Sequence, residues 1–243
     1  MHKIAFLSKN IHAYKCLNSK TGIYTGEVIS SFKHTLMLKN IFFDLLKKYT
    51  SDESLASKFW SEIEENYSNR KRHYHTLTHL ENLLQILTPI KAKINDWDTL
   101  LFTLFYHDVV YNATKSDNEE KSAELAVSRM KTIGVADNRD NRIEKCQTLI
   151  LATKKHLPST DSDTNYFTDA DLSVLGQDWE TYNNYYKNVR KEYAIYPNIL
   201  YNVGRKKVLK HFLAMDRIYK TDYFYHEFEQ KAKENLEREL RLL

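Results

Sequence analysis

Five glycines and three prolines in 243 residues leave this chain almost without the punctuation that sheets and hairpins need. Tight turns between strands draw on glycine for positive φ and on proline for a fixed φ. Their scarcity excludes an all-β fold and favours long helices. The apolar share, 42%, is ordinary for a domain with its own core. The expected fold class is therefore all-α.

Apolar positions recur at helical spacing from residue 35 onward. "TLMLKNIFFDLLKKYT" (35–50) reads as a helix whose closing lysines suit its C-terminal dipole. Thr50 with Glu53, Thr78 with Glu81 and Ser116 with Glu119 each match a capping box, which predicts helix starts at these three places. The second of them puts His79 in a first helical turn. "DWDTLLFTLFYHDVVY" is apolar on nearly every face and predicts a central helix, and Gly134 predicts the end of the helix after Ser116. "NRIEKCQTLILATKKH" and "QDWETYNNYYKNVRKEYA" predict further helices, with a turn region at "LPSTDSDTNYFT" between them. In the last helix Glu227, Glu229, Glu234 and Glu237 each precede a basic residue by four, the pattern of a solvated face. Residues 1–36 lack a clear period and are expected to form an N-terminal extension to one domain over 37–243.

The formal charge of +4 comes from 36 basic and 32 acidic residues. Because the two signs are interspersed, this balance does not call for nucleic acid. Cys16 and Cys146 are far apart with no paired spacing, which fits a reducing compartment. No run of eighteen apolar residues and no signal-like core occurs, so a soluble, cytoplasmic protein with no membrane partner is expected.

One place departs from this ordinary picture. The apolar run at 100–106 ends in His107 and Asp108. A carboxylate in a dry site needs an opposite charge or several donors, since desolvating it costs several kcal/mol. A divalent cation between the two side chains would answer both. Further ligands would come from "RHYHTLTHLENLL", "LATKKH" and "TDADLSVLG". His79 is favoured because Leu83, Leu84 and Leu87 on its helix face the core. Asp171 is preferred to Asp169 because it directly precedes the apolar "LSVL". The competing explanation for His107 and Asp108 is a buried ion pair with a distant arginine.

The order H…HD…D resembles the HD superfamily of metal-dependent phosphohydrolases. The likeness is carried by Arg72 to His79 (R-x-Y-H-x-L-x-H), His107 to Tyr111 (HD-x-V-Y), Ser116 to Ala126 (S-D-N-E-E-x-S-A-E-L-A) and Asp169 to Gly176 (D-A-D-L-x-x-L-G). It implies a single HD-like helical bundle in which His79, His107, Asp108 and Asp171 hold a divalent metal; a second metal is possible, but one is preferred because no further histidine stands near His156, and the mixed ligand set suits Mn, Fe, Co, Ni or Mg. It also implies a hydrolase of phosphoester bonds in a small phosphorylated metabolite, with nucleotides among the candidates, acting through metal-bound water. His107 and Asp108 would be its catalytic centre. His75, Arg72, Lys154, His156 and Glu120 are expected around substrate or ligands, with Arg72 and Lys154 as phosphate-holding cations. The loops at "NATKSDN" and "LPSTDSDTNYF" would select the substrate. Two other classes fit the same residues: a metal- and nucleotide-binding sensor without turnover, and a helical scaffold for nucleic acid or protein.

Overall fold

The structure, a computed structural model, describes residues 26–135 and 141–243. Every regular element among them is helical: α1 (Gly26–Leu46), α2 (Glu53–Tyr67), α3 (Leu77–Leu87), α4 (Trp97–Tyr106), α5 (Asn118–Thr132), α6 (Arg142–Ala152), α7 (Ser162–Asp171), α8 (Trp179–Glu192), α9 (Asn198–Leu213) and α10 (Asp222–Leu242). Two 3-10 helices, Thr88–Lys93 and Leu172–Gly176, extend α3 and α7. The chain divides into two units, Met1–Met37 and Leu38–Leu243. The extension expected over 1–36 lies mostly outside the described residues, as does Cys16; its described part, 26–36, belongs to α1.

In the second unit, α4 is the central helix. Every residue from Thr99 to Tyr106 is buried, and α4 packs against α3, α5 and α6. Phe105 meets Phe42 edge-on at 5.0 Å between ring centroids and Trp60 at 6.5 Å. Each such ring contributes about 1.5–3 kcal/mol by leaving water. This packing sets the end of α4, and hence His107, deep in the protein.

The capping boxes are not the caps the chain uses. Asp52, not Thr50, begins α2, its carboxylate accepting from the amides of Ser54 and Leu55. Thr76 precedes α3 with no side-chain cap, so Thr78 lies inside the helix and Glu81 is buried. Asp117, not Ser116, precedes α5 and spends its carboxylate on Lys121 at 2.8 Å. A Ser/Thr-x-x-Glu pattern recurs easily by chance, and at α2 an aspartate two residues on takes the amides instead. Gly134 does follow α5, in the left-handed region at φ 77°.

The stretch expected as a turn at 157–168 is half helix. Asp161 accepts from the Thr164 amide at 2.9 Å and opens α7, and α7 carries Asp171 at its end. The last helix also differs from a solvated face. Glu229 is buried and accepts from the amides of Ile218 and Tyr219. Arg238 lies over the Trp179 ring at 3.7 Å, and Glu239 is buried against Arg205. Gly176 closes the α7 extension so tightly on α10 that an added Cβ would sit 2.5 Å from Phe228 Cβ. No helix among the described residues is long and apolar enough to cross a membrane.

Candidate metal centre

Four separate segments deliver the polar cluster. His79 lies in the first turn of α3, on the face that buries Leu80, Leu83, Leu84 and Leu87. His107 closes α4 as its C-cap residue, and Asp108 follows. Asp171 ends α7. His156 stands after α6 with φ 51°, a left-handed backbone that turns its ring toward Asp171.

The donor atoms converge. His79 Nε2 and His107 Nε2 are 3.1 Å apart. Asp108 Oδ2 lies 3.3 Å from His107 Nε2 and 3.8 Å from His79 Nε2. Asp171 Oδ1 lies 3.4 Å from His79 Nε2 and 3.8 Å from His107 Nε2. Ligands about 2.1 Å from a common ion are separated by roughly 3.0–3.4 Å when adjacent, so these spacings fit shared coordination. His79, His107 and Asp108 form a group whose donor atoms all lie within 4.8 Å of one another and could hold a metal.

The surrounding hydrogen bonds orient the rings. His107 Nδ1–H donates to the Leu104 carbonyl at 3.0 Å, so the neutral ring keeps its lone pair on Nε2, facing the cluster. Burial alone would lower the His107 pKa, but Asp108 and Asp171 raise it to about 9. Burial would raise the Asp108 carboxyl, yet His107 and His75 hold it well below the usual carboxylate range. Asp171 is held low in the same way by His156, His79 and His107. The ion-pair partners of both carboxylates, among the described residues, are imidazoles only. Among the described residues that leaves no arginine pair and a mixed nitrogen and oxygen set with no thiolate, since Cys146 is buried beside Thr103 on α4. Such a set suits a divalent ion with open positions rather than a closed structural zinc site.

The outer residues fare unevenly. His75 is at the centre: its Nδ1 bonds Glu192 at 2.7 Å and its Nε2 stands 3.8 Å from Asp108 Oδ2. His156 Nε2 meets Asp171 Oδ2 at 3.0 Å. Arg72 serves the backbone. It is buried and donates to the carbonyls of His75, Asp108 and Val109, where a helix C-terminus leaves orphan acceptors. Lys154 and Glu120 bond each other at 2.5 Å on the surface, and Lys154 also reaches the Ser116 carbonyl. Both are spent on tying α5 to the end of α6 rather than on the cluster, because a lysine at a helix end finds the nearest acid and carbonyl first.

Glu192 is the residue that sequence reasoning missed. It accepts from the amides of His73, Tyr74 and His75, from His75 Nδ1, and from Tyr111 Oη at 2.9 Å. Its one local signal is position: it continues the buried stripe of Tyr182 and Val189 on α8, where an acid needs a reason.

A cleft of about 220 Å³ opens on His79 and Asp171 and runs between α3, the 3-10 helix after α7, and the start of α8. It takes no lining from 112–118 or 157–167, the loops expected to select the substrate.

The fold and cluster thus define an all-helical protein with a candidate His/Asp metal centre. Beyond that class, no known family model matches the chain and no curated protein matches it.

Proposed function

We propose that this chain is a metal-dependent phosphohydrolase of the HD superfamily, cleaving a phosphoester bond in a small phosphorylated metabolite. One observation carries the reading: His79, His107 and Asp108 bring donor atoms within 4.8 Å of one another, and the ion-pair partners of the half-buried Asp108 and Asp171 among the described residues are ring nitrogens, as near as 3.3 and 3.4 Å. In this reading His79, His107, Asp108 and Asp171 hold a single divalent cation of the Mn, Fe, Co, Ni or Mg type. Bound there, such an ion would polarise a phosphoryl oxygen and make coordinated water more acidic.

The remaining work falls to the chain. Asp108, held ionised, is a poor base, so its role is to hold the ion. His75 is the group fit to move a proton. Glu192 fixes its Nδ1, leaving Nε2 to exchange a proton with the leaving oxygen, and favours the charged ring. Arg72 holds the His107–Asp108 turn in place through its carbonyls, and His156 steadies Asp171.

The test is metal analysis of the purified protein followed by a screen of phosphomonoesters and phosphodiesters, with His107→Ala as control. Stoichiometric metal with turnover lost in the variant is the expected result. Metal without turnover above the control would make the protein a sensor; no metal would return it to the scaffold class.

A further inference from the structure

The cleft beside His79 and Asp171 is chemically distinctive. Asn82, Gln85, Ser173 and Gln177 line it, and none of these side chains hydrogen-bonds another described residue. Ser173 is only 7% exposed. Its hydroxyl has no hydrogen-bond partner among the described residues and is not a fully buried polar atom, so water or a ligand can reach it. The other walls are aliphatic, from Leu83, Ile86 and Val174, with the Tyr74 ring at the end nearest His79.

Lysine and arginine are absent from this lining. The cations nearest the cluster are engaged elsewhere: Arg72 on carbonyls, Lys220 on Asp169 and Lys154 on Glu120. A ligand bringing further phosphates into the cleft would leave those charges desolvated and unpaired, which is strongly unfavourable. The volume, about 220 Å³, is also below the ~300–1,000 Å³ of sites for drug-sized ligands.

We infer that the cleft binds the organic half of the substrate, and that this half is a neutral, hydroxyl-rich group of monosaccharide size carrying a single phosphate ester. Amides and a serine hydroxyl both donate and accept, matching hydroxyls that do the same. The aliphatic wall and Tyr74 take the C–H face of such a ring. This deepens the hydrolase reading and rests on it for the phosphate's position, while the subsite itself stands on the cleft.

The experiment titrates the full chain with ribose 5-phosphate, AMP and ATP, following the side-chain amide resonances of Asn82, Gln85 and Gln177 by NMR. Hydrolysis of p-nitrophenyl phosphate is measured in parallel. Ribose 5-phosphate should shift all three amides. Gln85→Ala, on an exposed helix position, and Ser173→Ala should each weaken its binding about tenfold. ATP should bind at least about tenfold more weakly than the sugar phosphate, since it carries charges the cleft cannot pair. Undisturbed amides, unaffected variants, or AMP or ATP binding as tightly as ribose 5-phosphate would overturn the inference, whatever the hydrolysis assay gives. Amide shifts with no hydrolysis of any ester would instead remove the hydrolase reading and leave the sugar-binding subsite standing.

Discussion

Asp169 and Asp171 lie two residues apart at the end of α7, and the chain treats them in opposite ways. Asp169 is fully buried and accepts from the amides of Lys220 and Thr221 and from the Thr221 hydroxyl, all within 2.9 Å. Lys220 Nζ adds an ion pair at 3.0 Å. Among the described residues the ion-pair partners of Asp171 are imidazoles. Glu229 and Asp163 follow the first pattern, each holding two consecutive backbone amides; Asp108 follows the second. A carboxylate answered by backbone amides has its partners built in permanently and serves stability. One answered by imidazoles shares its counter-charge with protons, which a metal ion can displace.

The comparison breaks first, and hardest, at Asp169. Asp169→Ala strands the buried Lys220 ammonium and two amides, and should cost about 3–5 kcal/mol in denaturant unfolding. The fraction that still folds should keep its full metal stoichiometry. Asp171→Ala should do the reverse: metal affinity should fall by more than the ~10–100-fold typical of supporting residues, as read by competition titration, with a smaller effect on the unfolding midpoint of the metal-stripped protein. If both variants lose metal equally, the division into two kinds of carboxylate fails.

Glu192 tests the border between the two kinds, because it holds three amides and also orients His75. Glu192→Gln should retain metal and lower turnover by about 10–100-fold, in kcat rather than KM. Its ionisation gives a pH signature. Burial would raise the carboxyl, but His75 and the amides of Tyr74 and His75 hold it at about 2, against an ordinary 4.5. A depressed acid stabilises fully above its unfolded value and loses that contribution as pH falls toward its folded value. Unfolding free energy should therefore drop between about pH 4.5 and 2, with a shallower slope in Glu192→Gln. At the other extreme, Glu237 meets Arg241 at 3.8 Å on the open face of α10. Glu237→Ala should change stability by no more than about 0.5 kcal/mol in thermal melts.

The legible parts of the sequence were those set by local pattern. The all-helical fold followed from missing turn residues, α4 from an apolar run on every face, and His79 from its place ahead of three inward leucines. His107, Asp108 and Asp171 were legible because charged groups beside apolar runs demand an explanation. What misled was equally local. Ser/Thr-x-x-Glu matches named the wrong caps, and a Ser/Asp/Thr-rich stretch hid the start of α7. Arg72 and Lys154 read as phosphate-holding cations by nearness in sequence, yet one is buried on three carbonyls and the other is paired at the surface.

By itself the sequence determined where helices run and which acids and imidazoles could not be ordinary surface, because periodicity and desolvation act on residues one at a time. Only the tertiary structure decided which of those groups meet. The bond from Glu192 to His75 spans 117 positions and that from Arg72 to the Asp108 carbonyl spans 36. Such contacts depend on how helices cross, and hydrogen bonding requires agreement to a few tenths of an ångström that no spacing along a chain encodes.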